Sequence, residues 1–126
     1  MRKFYYLCLL FFISQSFAQT REIAITIDDL PLVASKMSTP ANQQRSIDRF
    51  AKIIQALKDN QVPATGFVIA GAIEKGQWVF LEQFRDAGLM IGNHTYSHYN
   101  LNQMKADKYI ADIARADKIL NPVLTE

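Results

Sequence analysis

The 126 residues carry 14 Lys and Arg against 12 Asp and Glu, and the small basic excess disappears if Arg2 and Lys3 are removed with the N-terminal segment. No charge surplus then exists to recruit nucleic acid or an anionic membrane surface. The single cysteine, Cys8, leaves no disulfide to staple the fold, which must rest on one small hydrophobic core.

The chain opens with the basic tripeptide MRK, an apolar run over residues 4–13 (FYYLCLLFFI) and then SQSFAQT. Ser16 and Ala18 occupy the small-residue positions of a cleavage site, so residues 1–18 read as a signal peptide cut after Ala18, with a secreted or periplasmic product. The apolar run is about half of the roughly 20 residues that a spanning helix needs, so no stable membrane anchor is expected.

Residues 22–29 (EIAITIDD) alternate Ile23, Ile25 and Ile27 with small residues, which suits a strand buried on both faces. Residues 42–60 place Ile47, Phe50, Ile54 and Leu57 on one helical face. A second buried strand is expected over residues 67–70, between Pro63 and Gly71. Residues 76–88 read as a helix with Val79, Phe80 and Phe84 on one side, ended by Gly88, and with Trp78 better suited to packing than to stacking on a sugar. Residues 89–93 (LMIGN) form a short third strand, and residues 102–120 set Met104, Tyr109, Ile113, Ala116 and Leu120 on a third helical face.

The order β-α-β-α-β-α implies an α/β fold with parallel strands and chemistry at their C-terminal ends. Asp28 and Asp29 end the first strand, and His94 and His98, the only histidines, follow the third. All four therefore fall on one rim. Two imidazoles four residues apart are a weak signal alone, and two adjacent Asp residues also suit a turn. Together, one carboxylate and two imidazoles can ligate a divalent ion with a position left for water, while the second carboxylate serves as base. An Fe(II) oxygenase site would take a carboxylate two residues after the first histidine, where this chain has Tyr96.

The segments ITIDDLP (residues 25–31), PATGFVIAG (63–71) and GLMIGNHTYSHYNL (88–101) resemble, in order and spacing, the N-terminal half of the polysaccharide deacetylase, or NodB-homology, domain of carbohydrate esterase family four. The resemblance implies that residues 19–126 are the N-terminal part of such a domain, a partial (β/α) barrel with about three βα units. It implies Asp28 as catalytic base and Asp29, His94 and His98 as ligands of a divalent metal, zinc first, with cobalt, nickel or manganese as alternatives. Thr95 and Ser97 would support the loop, and Tyr96 and Tyr99 are candidates for lining a groove.

The implied activity is that of a secreted metallohydrolase removing N-acetyl, or O-acetyl, groups from a polysaccharide or oligosaccharide, acting on carbon–nitrogen but not peptide bonds. Leu30 stands where the family usually has glycine. The family's later motifs, including the general-acid histidine, have no counterpart in these residues, so the chain is expected to be a fragment lacking the general acid. Two alternatives are a non-catalytic metal- or sugar-binding remnant and a hydrolase of small cyclic amides or ureides.

Overall fold

A computed structural model describes residues 21–31 and 39–124 of the protein; the segment read as a signal peptide lies outside the described residues. Strands β1 (Ile25–Leu30), β2 (Ala64–Val68) and β3 (Met90–Asn93) alternate with helices α1 (Pro40–Asp59), α2 (Trp78–Asp86) and α3 (Ala106–Leu124). The strands pair in parallel in the order β1-β2-β3, so the α/β class and the three βα units are those expected. Among the described residues, no helix is long and apolar enough to cross a membrane.

Local chemistry sets the helix ends. Thr39 caps α1, its hydroxyl accepting from the Asn42 N–H at 3.2 Å, and Pro40 follows where a missing N–H costs nothing. Helix α2 ends at Gly88, whose φ of +79° suits glycine. There the Leu89 N–H reaches the Phe84 carbonyl at 3.3 Å and the Gly88 N–H reaches the Arg85 carbonyl at 2.8 Å, the paired bonds of a Schellman ending.

One core joins the sheet to the helices. Phe50 of α1, Phe80, Leu81 and Phe84 of α2, and Ala116, Leu120 and Val123 of α3 pack with Leu30, Ala64 and Val68 from the sheet. Phe50 meets Phe80 edge-on with ring centroids 5.2 Å apart, a favourable aromatic arrangement. Trp78 packs partly buried against this core.

Three expectations change. The second strand lies about three residues earlier than the apolar run FVIA indicates, because the chain turns into a short 3-10 segment, Ala70–Ala72. There the amides of Ala70 and Gly71 bond to the carbonyls of Thr95 and Tyr96, at 3.1 and 2.9 Å, instead of continuing the ladder. Strand β1 is not buried on both faces: Thr26, Asp28 and Asp29 are exposed, and Ile25 is 38 % exposed. It is an edge strand in this sheet, and the helices cover the side that carries Ala64, Gly66 and Val68. On α2 the third core residue is Leu81 and not Val79, which is 40 % exposed; the helix is rotated to seat Leu81 beside Phe80.

Candidate metal centre

The end of β1 is irregular in a way that makes room for chemistry. Ile27 pairs with Gly66 and Leu30 with Val68, so β1 holds one residue more than β2 over this stretch. That extra residue forms a bulge at Asp28 and Asp29, a device common beside active sites because it re-aims side chains. Asp29 has φ +61°, the left-handed region that Asp tolerates better than most residues. Asp28, its exposed neighbour, stays outside the cluster that Asp29 joins.

The partner loop leaves β3 at Asn93. The His94 N–H extends the sheet ladder to the Val68 carbonyl at 2.9 Å, which carries this histidine to the rim. Thr95 (φ +67°) and His98 (φ +54°) then curl the backbone tightly. The histidines therefore converge through a tight loop rather than a helix, with ring centroids 4.7 Å apart.

Asp29, His94 and His98 each offer one ligand atom, and these atoms all lie within 4.8 Å of one another. Asp29 Oδ1 stands 3.5 Å from His94 Nε2 and 3.6 Å from His98 Nε2. Donors on a tetrahedral ion with bonds of about 2.0 Å lie about 3.3 Å apart, so the spacing and the mixed N/O donor set fit a zinc-like ion. The Asp29 and His98 side chains are about half exposed, at 53 % and 52 %, which leaves solvent access for a water or substrate ligand.

What holds the loop comes largely from α3. Asp112 Oδ2 accepts the N–H groups of Tyr96 and Ser97, at 3.0 and 2.9 Å, and its Oδ1 accepts the Ser97 hydroxyl at 2.8 Å. Thr95 is buried, and its hydroxyl accepts the His98 N–H at 2.9 Å. The Asn93 amide donates to the Ile113 carbonyl at 3.0 Å and to Asp117 Oδ1 at 2.6 Å, and its oxygen accepts the Thr95 N–H at 2.7 Å. The Tyr96 ring is partly buried against the core, with the Arg115 guanidinium 3.4 Å from its centroid. A Cβ at Gly71 would lie 2.4 Å from the Tyr96 carbonyl oxygen, so only glycine permits this approach.

The site residues expected from the sequence do not include Asp112, Asn93 or Gly71. Asp112 did leave a trace: it lies three residues after Tyr109 and four before Ala116, on the apolar face of α3, where an unpaired carboxylate would be costly.

Partial burial opposes the Asp112 charge, but the hydrogen bonds from Ser97, Tyr96 and Thr95 outweigh it and hold the carboxyl below its usual 3.8. A lowered folded-state value means the stabilisation is full above the usual value and is lost as pH falls through the folded one. The amide NMR shifts of Tyr96 and Ser97 should therefore stay constant with respect to Asp112 from about pH 8 to 5 and titrate only in strong acid.

Beside the cluster lies a cleft of about 310 Å³ lined by His94, Thr95, His98, Tyr99, Leu101 and Tyr109, among others. Tyr99 is thus at the cleft wall, 59 % exposed, whereas Tyr96 turns its ring toward the core.

A sequence model of the family described as polysaccharide deacetylase matches residues 17–126. A peptidoglycan-N-acetylglucosamine deacetylase of Bacillus cereus is 33 % identical over 100 residues, covering 79 % of this chain and 31 % of its own. Among solved structures, a peptidoglycan N-acetylglucosamine deacetylase in complex with an N-oxidanyl-benzamide superposes with a TM-score of 0.61 at 32 % identity, over 82 % of this chain and 41 % of that one. A CE4 family pseudoenzyme from Bacillus anthracis reaches the same TM-score, 0.61, at 19 % identity, over 82 % of this chain and 31 % of its own. This fold is therefore shared by enzymes and a pseudoenzyme, and the chain spans less than half the length of these relatives.

Proposed function

Because this chain belongs to the polysaccharide deacetylase family, we propose that it supplies the metal-binding part of a hydrolase that removes N-acetyl, or O-acetyl, groups from a polysaccharide. The observation that carries the reading is the convergence of Asp29, His94 and His98 on the rim of a parallel sheet, with donor atoms within 4.8 Å of one another. Zinc suits this donor set first, with cobalt, nickel or manganese as alternatives. The similarity to a peptidoglycan-N-acetylglucosamine deacetylase supports N-acetylglucosamine of peptidoglycan as the acetylated sugar. The N-terminal segment, read as a cleaved signal, supports action outside the cytoplasm.

In this reading a bound divalent ion would polarise the acetyl carbonyl and make hydroxide available near neutral pH. Asp29, His94 and His98 would hold the ion, and the tight loop keeps the two imidazoles converged. Asp28, adjacent on the bulge yet outside the ligand cluster, takes the proton from the attacking water. The water oxygen bonds to the acetyl carbon, the carbon–nitrogen bond breaks, and acetate and the free amine leave. Both histidines of the chain lie in the cluster, and the general-acid histidine that the family resemblance implies for the departing amine has no counterpart in these residues. The coverage of only 31 % and 41 % of the relatives supports that view.

The test combines zinc binding with acetate release from N-acetylglucosamine oligomers, the latter in a full-length form that supplies the general acid. Asp28→Asn should keep zinc affinity within about twofold and lower turnover by about 10²–10⁴-fold, the usual contribution of a positioned base. Loss of zinc in Asp28→Asn would overturn the division of labour between the two carboxylates. Zinc binding without acetate release by a full-length form that carries a general acid would favour a non-catalytic metal- or sugar-binding role, and turnover of a cyclic imide alone would point to the other amide chemistry.

A further inference from the structure

We infer that Asp112 is a positioning residue for the metal centre: from α3 it fixes the backbone of the loop that presents His94 and His98. This rests on the metal-binding reading above but adds a residue outside the ligand set. Asp112 lies on a different element from the donors, and its carboxylate meets the Tyr96 and Ser97 N–H groups and the Ser97 hydroxyl, all between the two histidines.

In the five residues from His94 to His98, with left-handed backbone at Thr95 and at His98, the His94 amide reaches Val68 and the His98 amide the Thr95 hydroxyl, which leaves the Tyr96 and Ser97 amides to a partner outside the segment. Such a nest of N–H groups calls for an anion, and Asp112 supplies it. Two backbone amides and a hydroxyl on one carboxylate are charge-assisted bonds, roughly twice as strong as neutral ones.

The constraint reaches the ligand itself by relay. The Thr95 hydroxyl accepts the His98 N–H at 2.9 Å. Asp112 fixes the Tyr96 and Ser97 amides inside that same turn, and so holds the span that the Thr95–His98 bond closes. On the other side, Ala70 and Gly71 donate to the Thr95 and Tyr96 carbonyls. The loop is therefore held by its carbonyls from the 3-10 segment that follows β2 and by its amides from α3. Without the second hold, the His98 imidazole would have to find the Asp29 carboxylate anew at each binding event.

The experiment uses the whole chain and Asp112→Ala, a substitution that favours helix at an α3 position, with zinc as the probe. Val123→Ala, which trims the core at the far end of α3, is the control for general destabilisation. Competition with a chromogenic chelator should show zinc affinity about 10–100-fold weaker in Asp112→Ala, the range for loss of an outer partner, and unchanged within about twofold in Val123→Ala. Metal-free amide exchange should show His98 protection reduced about tenfold in Asp112→Ala, although its N–H does not touch Asp112, with residues 66–68 of β2 unaffected. His98 protection at the parent level, or equal loss of zinc affinity in Val123→Ala, would overturn the inference. If Asp112→Ala does not fold, Asp112→Asn, which keeps one acceptor for the two amides, is read the same way with smaller changes. A parent chain that binds no zinc would remove the metal reading alone, because the exchange result still decides whether Asp112 orders the loop.

Discussion

Asp29→Asn should lower zinc affinity by more than about 100-fold, beyond what loss of an outer partner costs, while leaving the melting temperature of the metal-free chain within about two degrees. The carboxamide has nearly the shape of the carboxylate and tolerates the +61° φ at this bulge, so fold and strain are preserved. What disappears is the negative charge facing two imidazole nitrogens at 3.5 and 3.6 Å. A divalent ion would then rest on two neutral donors in a half-exposed setting, where water competes effectively. Alanine is the poorer test, because it adds the cost of a left-handed backbone to the loss of the ligand. Zinc titration with and without Asp29→Asn decides the matter: retention of parent-level affinity would remove Asp29 from the ligand set.

The largest effect on stability is expected from Phe84→Ala. Its ring is fully buried in α2, 6.1 Å from the Phe50 ring, and it lies against Gly66 of β2, where even a Cβ would come within 3.1 Å of Phe84 Cε1. Truncating a buried Phe costs about 3–5 kcal/mol, and the upper end holds where the surroundings cannot collapse. Here Gly66 offers no side chain of its own to the resulting void, and the neighbouring Leu30 is already packed over that glycine. Set against a total stability of about 5–15 kcal/mol for a domain, the variant should be largely unfolded in modest denaturant. Urea unfolding checks this, and a change below about 1 kcal/mol would mean that α2 does not seat on β2 through this ring.

Much of this architecture could be read from periodicity. The apolar stripes on α1 and α3 recur in part as the faces that meet the core, through Phe50, Ala116 and Leu120, because a spacing of three and four residues places such side chains on one helical face. Met104 instead precedes α3, and Tyr109 and Ile113 are only partly buried. Short segments were less legible. The run FVIA reads as strand from hydrophobicity alone, yet its second half leaves the sheet to bond Thr95 and Tyr96, a tertiary demand invisible in local pattern. Val79 and Leu81 are equally apolar, and only the packing of α2 chooses between them. The proximity of Asp29, His94 and His98 followed from topology, because parallel strands bring their C-terminal ends to one rim. The carboxylate of Asp112 did not, because its partners are backbone amides, which carry no sequence letter.

The bulge in β1 also shows how this sheet accommodates its reactive end. Ile25 and Ile27 stand two apart, but Leu30, which pairs with Val68 and is buried, comes three after Ile27. Omit one aspartate and the spacing of Ile25, Ile27 and Leu30 becomes an unbroken alternation, with the same apolar residues against the same partners. The strand is thus an ordinary structural sentence with a single letter inserted, and the core on one side of that letter is indifferent to its presence. Reactivity and foldability are, at this point in the chain, separately editable: a lineage could lose the one by a three-nucleotide deletion and keep the other intact.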